Sequence, residues 1–226
     1  MSRPTKNKSS QTRLSATEPT HRAPRQARSR QTLEKILDAT ERLLESRIFE
    51  DLTVQDILQE AGVSIGSFYA RFKTKDDVLR DLYQRYREDL SSLNQEVIEK
   101  ETNGLSLMEL LEKIVRHTLQ RMEKRRGLIR TIVLHMRQHP EASGDEERRV
   151  ARRARHVGVE LIVSRKNEIS HPRPREAARM IIFTLAALGR EFVLFDYTPH
   201  ASQLKLSRER FIRETTRMMA NYLGVK

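Results

Sequence analysis

The chain is 226 residues long, enough for one large or two small domains with a substantial core. It has no cysteine, which excludes disulfides and thiolate chemistry. No stretch approaches the ~20 apolar residues of a membrane span, and no apolar signal segment opens the chain. A formal net charge of +12 favours a polyanionic partner, either nucleic acid or an anionic membrane surface.

Residues 1–28 read as a basic N-terminal arm, disordered in the free protein to about Ala27. Eight basic residues against Glu18 alone give the first 30 residues a formal +7, and Leu14 is the only large aliphatic side chain after Met1. Such a segment cannot offset its ordering entropy by burial. It fits an arm that tracks phosphates or enters a minor groove, and equally a solubilising extension. The first helix is expected over Ser29–Glu45, where Leu33, Ile36, Leu37, Thr40, Leu43 and Leu44 repeat at helical spacing. Thr53-Val54-Gln55-Asp56 has the form of a capping box and starts a second helix with Val54, Ile57, Leu58 and Ala61 on its apolar face. Gly62 falls where a helix end needs positive φ. Ser64 then caps a third helix running from Ile65 to about Phe72. Two short helices joined by a tight Gly-containing turn form a helix-turn-helix, whose second helix enters the major groove. Gly66 and Ser67 are small enough for close backbone approach. Tyr69, Arg71, Lys73 and Lys75 supply phosphate and base-edge partners, and Phe68 and Phe72 anchor the opposite face.

The string AGVSIGSFYARFKTKDDVL within Arg30–Leu82 resembles the N-terminal signature of TetR-type transcriptional regulators. Beyond it, only the all-helical layout resembles that family. One departure is Ile48, where such sequences usually carry Gly. A β-branched residue resists the left-handed region, so this turn is expected to be built differently. The resemblance implies that Thr53, Tyr69 and Lys75 mainly hold phosphates. It also implies that Gln55, Ser64, Ile65, Gly66, Ser67 and Arg71 meet base edges or adjacent backbone, with Lys73 beside them. Arg71 is the expected guanine reader, because its guanidinium fork matches O6 and N7.

Thr74-Lys75-Asp76-Asp77 is a further capping box and opens a long connecting helix, residues 76–100, with Leu79, Leu82, Tyr83, Tyr86, Leu90, Leu93 and Val97 in one stripe. Residues 101–226 read as all helix. Ser106-x-x-Glu109 caps one segment, Leu128–Met136 forms another ending before Pro140, and Ser143-x-x-Glu146 opens a third to about Asn167. His171-Pro172-Arg173-Pro174 is a rigid connection. A helix over Pro174–Asp196 is apolar nearly all round in its middle, so it is buried on more than one side. The last helix spans about Ser207–Leu223.

The expected fold is therefore all-α. An N-terminal three-helix helix-turn-helix DNA-binding domain, residues 29–75, precedes a helical effector-binding and dimerisation domain, residues 76–226. The resemblance implies a four-helix homodimer interface, for which Ile182, Ala186, Gly189, Phe211, Thr215, Met218 and Tyr222 are candidates. It also implies an effector pocket after the connecting helix. Leu107, Leu111, Ile114, Met136, Phe183, Phe192 and Phe195 are its candidate lining, suited to a hydrophobic small molecule, although each also reads as plain core. His117, Thr184, Arg190 and Glu191 are candidates to orient a polar group. His135 and His139 lack a third metal ligand, so no metal and no cofactor are expected. The basic run Arg148–His156 reads as a solvated helix paired locally with Asp145, Glu146 and Glu147, with a second nucleic-acid surface as the alternative. No enzyme motif is present. The expectation is a cytoplasmic, DNA-bound regulator, most simply a repressor released from a near-palindromic double-stranded operator by its effector, with no membrane role. The rival readings are a nonspecific, charge-driven nucleic-acid binder and a helical interaction module.

Overall fold

The computed structural model describes residues 25–91, 98, 100, 102–139 and 145–225. Most of the expected basic arm, the far half of the connecting helix and the expected cap at Ser143 lie outside them. Among the described residues ten α-helices follow in order: α1 (Arg25–Leu44), α2 (Val54–Ala61), α3 (Ile65–Tyr69), α4 (Lys75–Ser91), α5 (Leu107–Lys124), α6 (Arg126–Gln138), α7 (Asp145–Val163), α8 (Pro174–Val193), α9 (Pro199–Leu204) and α10 (Arg208–Leu223). Short 3-10 turns cover Phe49–Asp51 and Lys166–Glu168. Among the described residues there is no strand, only an isolated antiparallel bridge between Ile169 and Val225.

The helix starts are made by short-range side-chain bonds. Thr53 Oγ1 accepts from the Asp56 N–H at 3.1 Å while the Asp56 carboxylate accepts from the Thr53 N–H at 2.8 Å, a complete capping box. Ser106 and Glu109 repeat it at α5. At α4 the Asp77 carboxylate accepts from the Thr74 and Lys73 N–H groups, at 3.0 and 2.9 Å. Gly62 ends α2 at φ 62°, where a Cβ would be strained. Ile48 takes the extended conformation, φ −86° and ψ 151°, so the turn where TetR-type sequences usually carry Gly needs no left-handed residue here.

Several boundaries depart from expectation. α1 begins at Arg25, inside the segment read as the arm, because Arg25-Gln26-Ala27-Arg28 are all good helix formers. α3 stops at Tyr69, α7 gives way to a 3-10 turn, and α8 ends at Val193. The short α9 was not expected, although Thr198-Pro199 carries its start signal: the Thr198 hydroxyl caps the Ala201 N–H, and Pro199 occupies the first helical position.

Two apolar cores organise these helices. The first joins Ile36, Leu44, Ile57, Phe68, Phe72 and Leu82 of α1–α4 with Leu128 and Ile132 of α6. The second joins Leu111, Val115 and Leu119 of α5 with Ile162 of α7, Ile181 and Leu185 of α8, and Phe211 and Ile212 of α10. Helix α6 therefore belongs by sequence to the second unit while two of its side chains complete the core of the first. Gly127 is the reason it can approach. A Cβ there would lie 2.1 Å from the Leu44 carbonyl oxygen and 2.3 Å from its carbon. Arg130 Nη2 donates to that same carbonyl at 3.1 Å, serving an orphan acceptor at the end of α1. Across the bundle, Arg85 of α4 grips three carboxylates of α1: Glu34, Asp38 at 2.7 Å and Glu41 at 2.9 Å.

This crossing yields a first prediction. Gly127→Ala places a methyl group inside backbone that no rotamer change can clear. The variant should lose about 1–3 kcal/mol of stability, the range for overpacking. Urea unfolding followed by circular dichroism measures it. An unchanged midpoint would mean that α1 and α6 do not approach this closely.

Candidate nucleic-acid interface and effector cavity

Helix α3 sorts its side chains sharply. Phe68 is fully buried, and its ring packs on Phe72 with centroids 5.3 Å apart. On the other side Ile65 and Tyr69 are 59% and 54% exposed, with Gly66 and Ser67 exposed between them. A Cβ added at Gly66 would meet nothing within 4 Å, so this backbone is open to a large partner. The Ser64 hydroxyl accepts from the Ser67 N–H at 3.2 Å and lies 2.9 Å from the Ser67 hydroxyl, fixing the start of the helix. Gln55 and Lys73 are exposed as well.

Three of the expected contact residues already have work inside the protein. The Thr53 hydroxyl donates to the Asp56 carboxylate at 2.7 Å, and Arg47 pairs with the same carboxylate at 3.0 Å. These bonds, Arg47's first and then Thr53's, hold the Asp56 carboxyl well below the usual carboxylate range, so it stays ionised. Arg71 Nη2 donates to the Ser29 carbonyl at 2.8 Å and to the Ser29 hydroxyl. The guanidinium is thereby held against the first turns of α1, next to which the basic arm is attached. Lys75 departs furthest from expectation. Its ammonium donates to the carbonyls of Phe49 at 2.9 Å, Glu50 at 2.8 Å and Leu52 at 2.9 Å, and it sits 4.9 Å from the centre of the Phe49 ring. All three ammonium donors are spent. Lys75 is thus a strut that ties α4 to the turn before α2, rather than a free phosphate ligand. Ser29 and Arg47 were missed by sequence reasoning. Arg71 is 42 residues from Ser29, so no local pattern marks their contact.

In the helical domain the seven candidate effector residues do not come together. Leu107 and Leu111 are fully buried core, Met136 packs on the core of the first unit, and Phe192 stacks on Phe211 with centroids 3.9 Å apart. Phe195 is buried in the second core under the Arg137 guanidinium, and Phe183 points outward. Ile114 alone of the seven lines the cavity of about 340 Å³ that opens between α5, α7 and α8, together with Ile98, Met122, Val157, Leu161 and Leu185. Of the four polar candidates, His117 reaches it. The expected dimer residues are likewise mostly turned inward. Gly189 packs on Met122, Phe211 and Thr215 are buried, and Ile182 and Ala186 line the cavity. Met218 and Tyr222 of α10 are exposed, and the apolar residues of α8 that face outward are Met180 and Phe183, at 52% and 62%. A helix that is apolar nearly all round cannot announce which side faces a neighbour. His135 and His139 lie ring to ring at 4.7 Å, and no cluster of three or more potential metal ligands occurs among the described residues. No described helix is long and apolar enough to cross a membrane.

Comparison with known proteins gives the following. Residues 36–82 match the sequence model described as "Bacterial regulatory proteins, tetR family". Over 54 residues the chain is 41% identical to an uncharacterised HTH-type transcriptional regulator, YwcC, of Bacillus subtilis (strain 168), a match that spans 24% of each protein. The fold is similar to that of a TetR transcription regulator from Haloarcula marismortui, with a TM-score of 0.60, 20% identity, and coverage of 87% of this chain and 97% of that one. It is also similar to that of a protein from Mesorhizobium loti described as a TetR-family transcriptional regulator, with a TM-score of 0.63, 15% identity, and coverage of 89% and 98%.

The strut at Lys75 gives a second prediction. Lys75→Met keeps the stem and removes all three bonds. Unfolding free energy should fall by about 1–3 kcal/mol, while the dependence of DNA affinity on salt should keep its slope. A phosphate contact would behave in the opposite way, leaving stability intact and reducing the slope by about 1. Urea unfolding and DNA titrations across a salt series separate the two.

Proposed function

We propose that this chain, whose residues 36–82 match the tetR family of bacterial regulatory proteins and whose fold is similar to that of solved TetR-type regulators, is a homodimeric repressor, released from a near-palindromic operator by a small effector. The relatives that it matches are transcriptional regulators and not enzymes. The observation that carries the reading is the outward surface of α3. Ile65, Gly66, Ser67 and Tyr69 stand exposed on a helix whose other side is locked by Phe68 and Phe72. A rigid helix offering a bare backbone, a hydroxyl and an aromatic ring, flanked by Arg71 and Lys73, suits a major groove. The double-stranded operator is its partner, in the cytoplasm.

Dimerisation rests on Met180 and Phe183 of α8 with Met218 and Tyr222 of α10, since these two helices pack together and leave large apolar side chains in solvent. A twofold arrangement sets two reading heads about one DNA turn, or a multiple of it, apart. The effector occupies the cavity between α5, α7 and α8. Met122 lines that cavity near the end of α5, and the chain passes directly through Arg125 into α6, whose Leu128 and Ile132 sit in the reading-head core. A ligand that shifts α5 therefore has a short mechanical route to α1 and α3. It acts only by binding the operator-bound and free states unequally.

Selection of bound duplexes from a random pool, with and without residues 1–27, tests the DNA reading. We expect both proteins to enrich one palindrome. Tight binding without enrichment would support a nonspecific, charge-driven role for the basic arm, and no binding would support an interaction module. Arg71→Ala should weaken the selected site by about 1–3 kcal/mol and relax one base position. Phe183→Asp tests the dimer. Because this side chain is mostly in solvent, helix content should be unchanged, while sedimentation shows a monomer and operator affinity collapses. A Phe183→Asp protein that remains dimeric would place the interface elsewhere.

A further inference from the structure

The cavity between α5, α7 and α8 combines two kinds of surface. Its walls are aliphatic side chains, and among the described residues its polar lining includes Lys113, His117, Arg121 and Arg155 but no Asp or Glu. Several arginines elsewhere in this domain are matched. Arg116 pairs with Glu112 and Glu209, Arg208 with Glu123, and Arg175 with Glu160. His117, Arg121 and Arg155 have no hydrogen bond or ion pair with any described residue. The positive field continues outward, because Arg155 also borders a neighbouring groove lined by Arg152 and Arg179. Glu160 of α7 is already taken by Arg175 and His156.

An apolar hollow rimmed by His117, Arg121 and Arg155 selects among ligands by charge. A neutral apolar molecule fills the walls and gains nothing at the rim. A cation is repelled. A molecule with an apolar chain and one anionic head buries the chain and forms charge-assisted hydrogen bonds with arginine, which are stronger than neutral ones. The volume, about 340 Å³, lies at the lower end of the range for small-molecule sites. We propose that this cavity takes an anionic amphiphile, an aliphatic chain ending in a carboxylate or phosphate, with Arg121 and Arg155 holding the head group. The proposal rests on the reading of this cavity as the effector site and adds the chemistry of the effector.

Calorimetric titration of the full-length protein tests it with four probes kept below their micelle concentrations: decanoate, decyl phosphate, 1-decanol and decyltrimethylammonium. At least one anion should bind once per protomer, with a Kd at least about tenfold below those of the alcohol and the cation. The preferred anion identifies the head as carboxylate or phosphate. The doubly substituted Arg121→Gln, Arg155→Gln protein should lose about tenfold in anion affinity and none for decanol. Both side chains are exposed, so its unfolding midpoint should match the parent's. Ala154→Phe, which fills the hollow, should abolish binding of all four. Decanol binding as tightly as the anions, full anion affinity in the double variant, or no binding by any probe would overturn the proposal. Anion binding that leaves operator affinity unchanged would sink effector control but keep this ligand assignment. Operator release by the alcohol or the cation alone would do the reverse.

Discussion

The carbonyl end of α1 meets α6 at Gly127, where backbone lies on backbone with no room for a methyl group. Arg130 from the same helix caps the exposed carbonyls of Leu44 and Arg47, so the end of α1 is satisfied by a residue that belongs to the other unit. Leu128 and Ile132 then finish the apolar core beneath the reading helix. On the far side of α1, Arg85 gathers Glu34, Asp38 and Glu41. Burial by itself pushes this guanidinium's pKa down, and the three carboxylates more than offset that. Helix α1 is thus held from two sides by α6 and α4, and neither hold survives a large independent movement of the reading head.

The reading surface is organised by the same economy. Two of its hydroxyls are tied up in caps, Thr53's on Asp56 and Ser64's on the Ser67 N–H. Lys75 spends its charge on three carbonyls and holds the turn of residues 49–52 in place. Arg71 is docked on Ser29 and so links the end of the reading helix to the stretch where the basic arm joins α1. What remains outward on α3 is aliphatic, small or aromatic: Ile65, Gly66, Ser67 and Tyr69.

Helix α8 shows why its separate faces could not be told apart in the sequence. One side, Ile182, Leu185 and Ala186, faces the cavity. Another, Ile181 and Gly189, packs into the protomer core, and a third, Met180 and Phe183, meets solvent. In sequence all of them read as one apolar run. A void, a core contact and an open face place the same demand on the local chain, which is to be hydrophobic at helical spacing.

What the sequence determined by itself is what acts within about one helical turn. Caps at Thr53, Ser64, Ser106 and Ser207, the left-handed Gly62, and Pro174 at the start of α8 all stand where short-range bonding and sterics put them. The all-α class and the α3 surface followed from those signals together with the family signature. Tertiary structure decided what depends on chain segments far apart in number. Lys75 became a strut because the Phe49 and Leu52 carbonyls converge on it, and Arg71 met Ser29 across the unit. Gly127 found Leu44, and Arg121 of α5 and Arg155 of α7 came to rim one hollow. Hydrophobic burial is non-directional, so a sequence can specify that a face is buried long before it specifies against what.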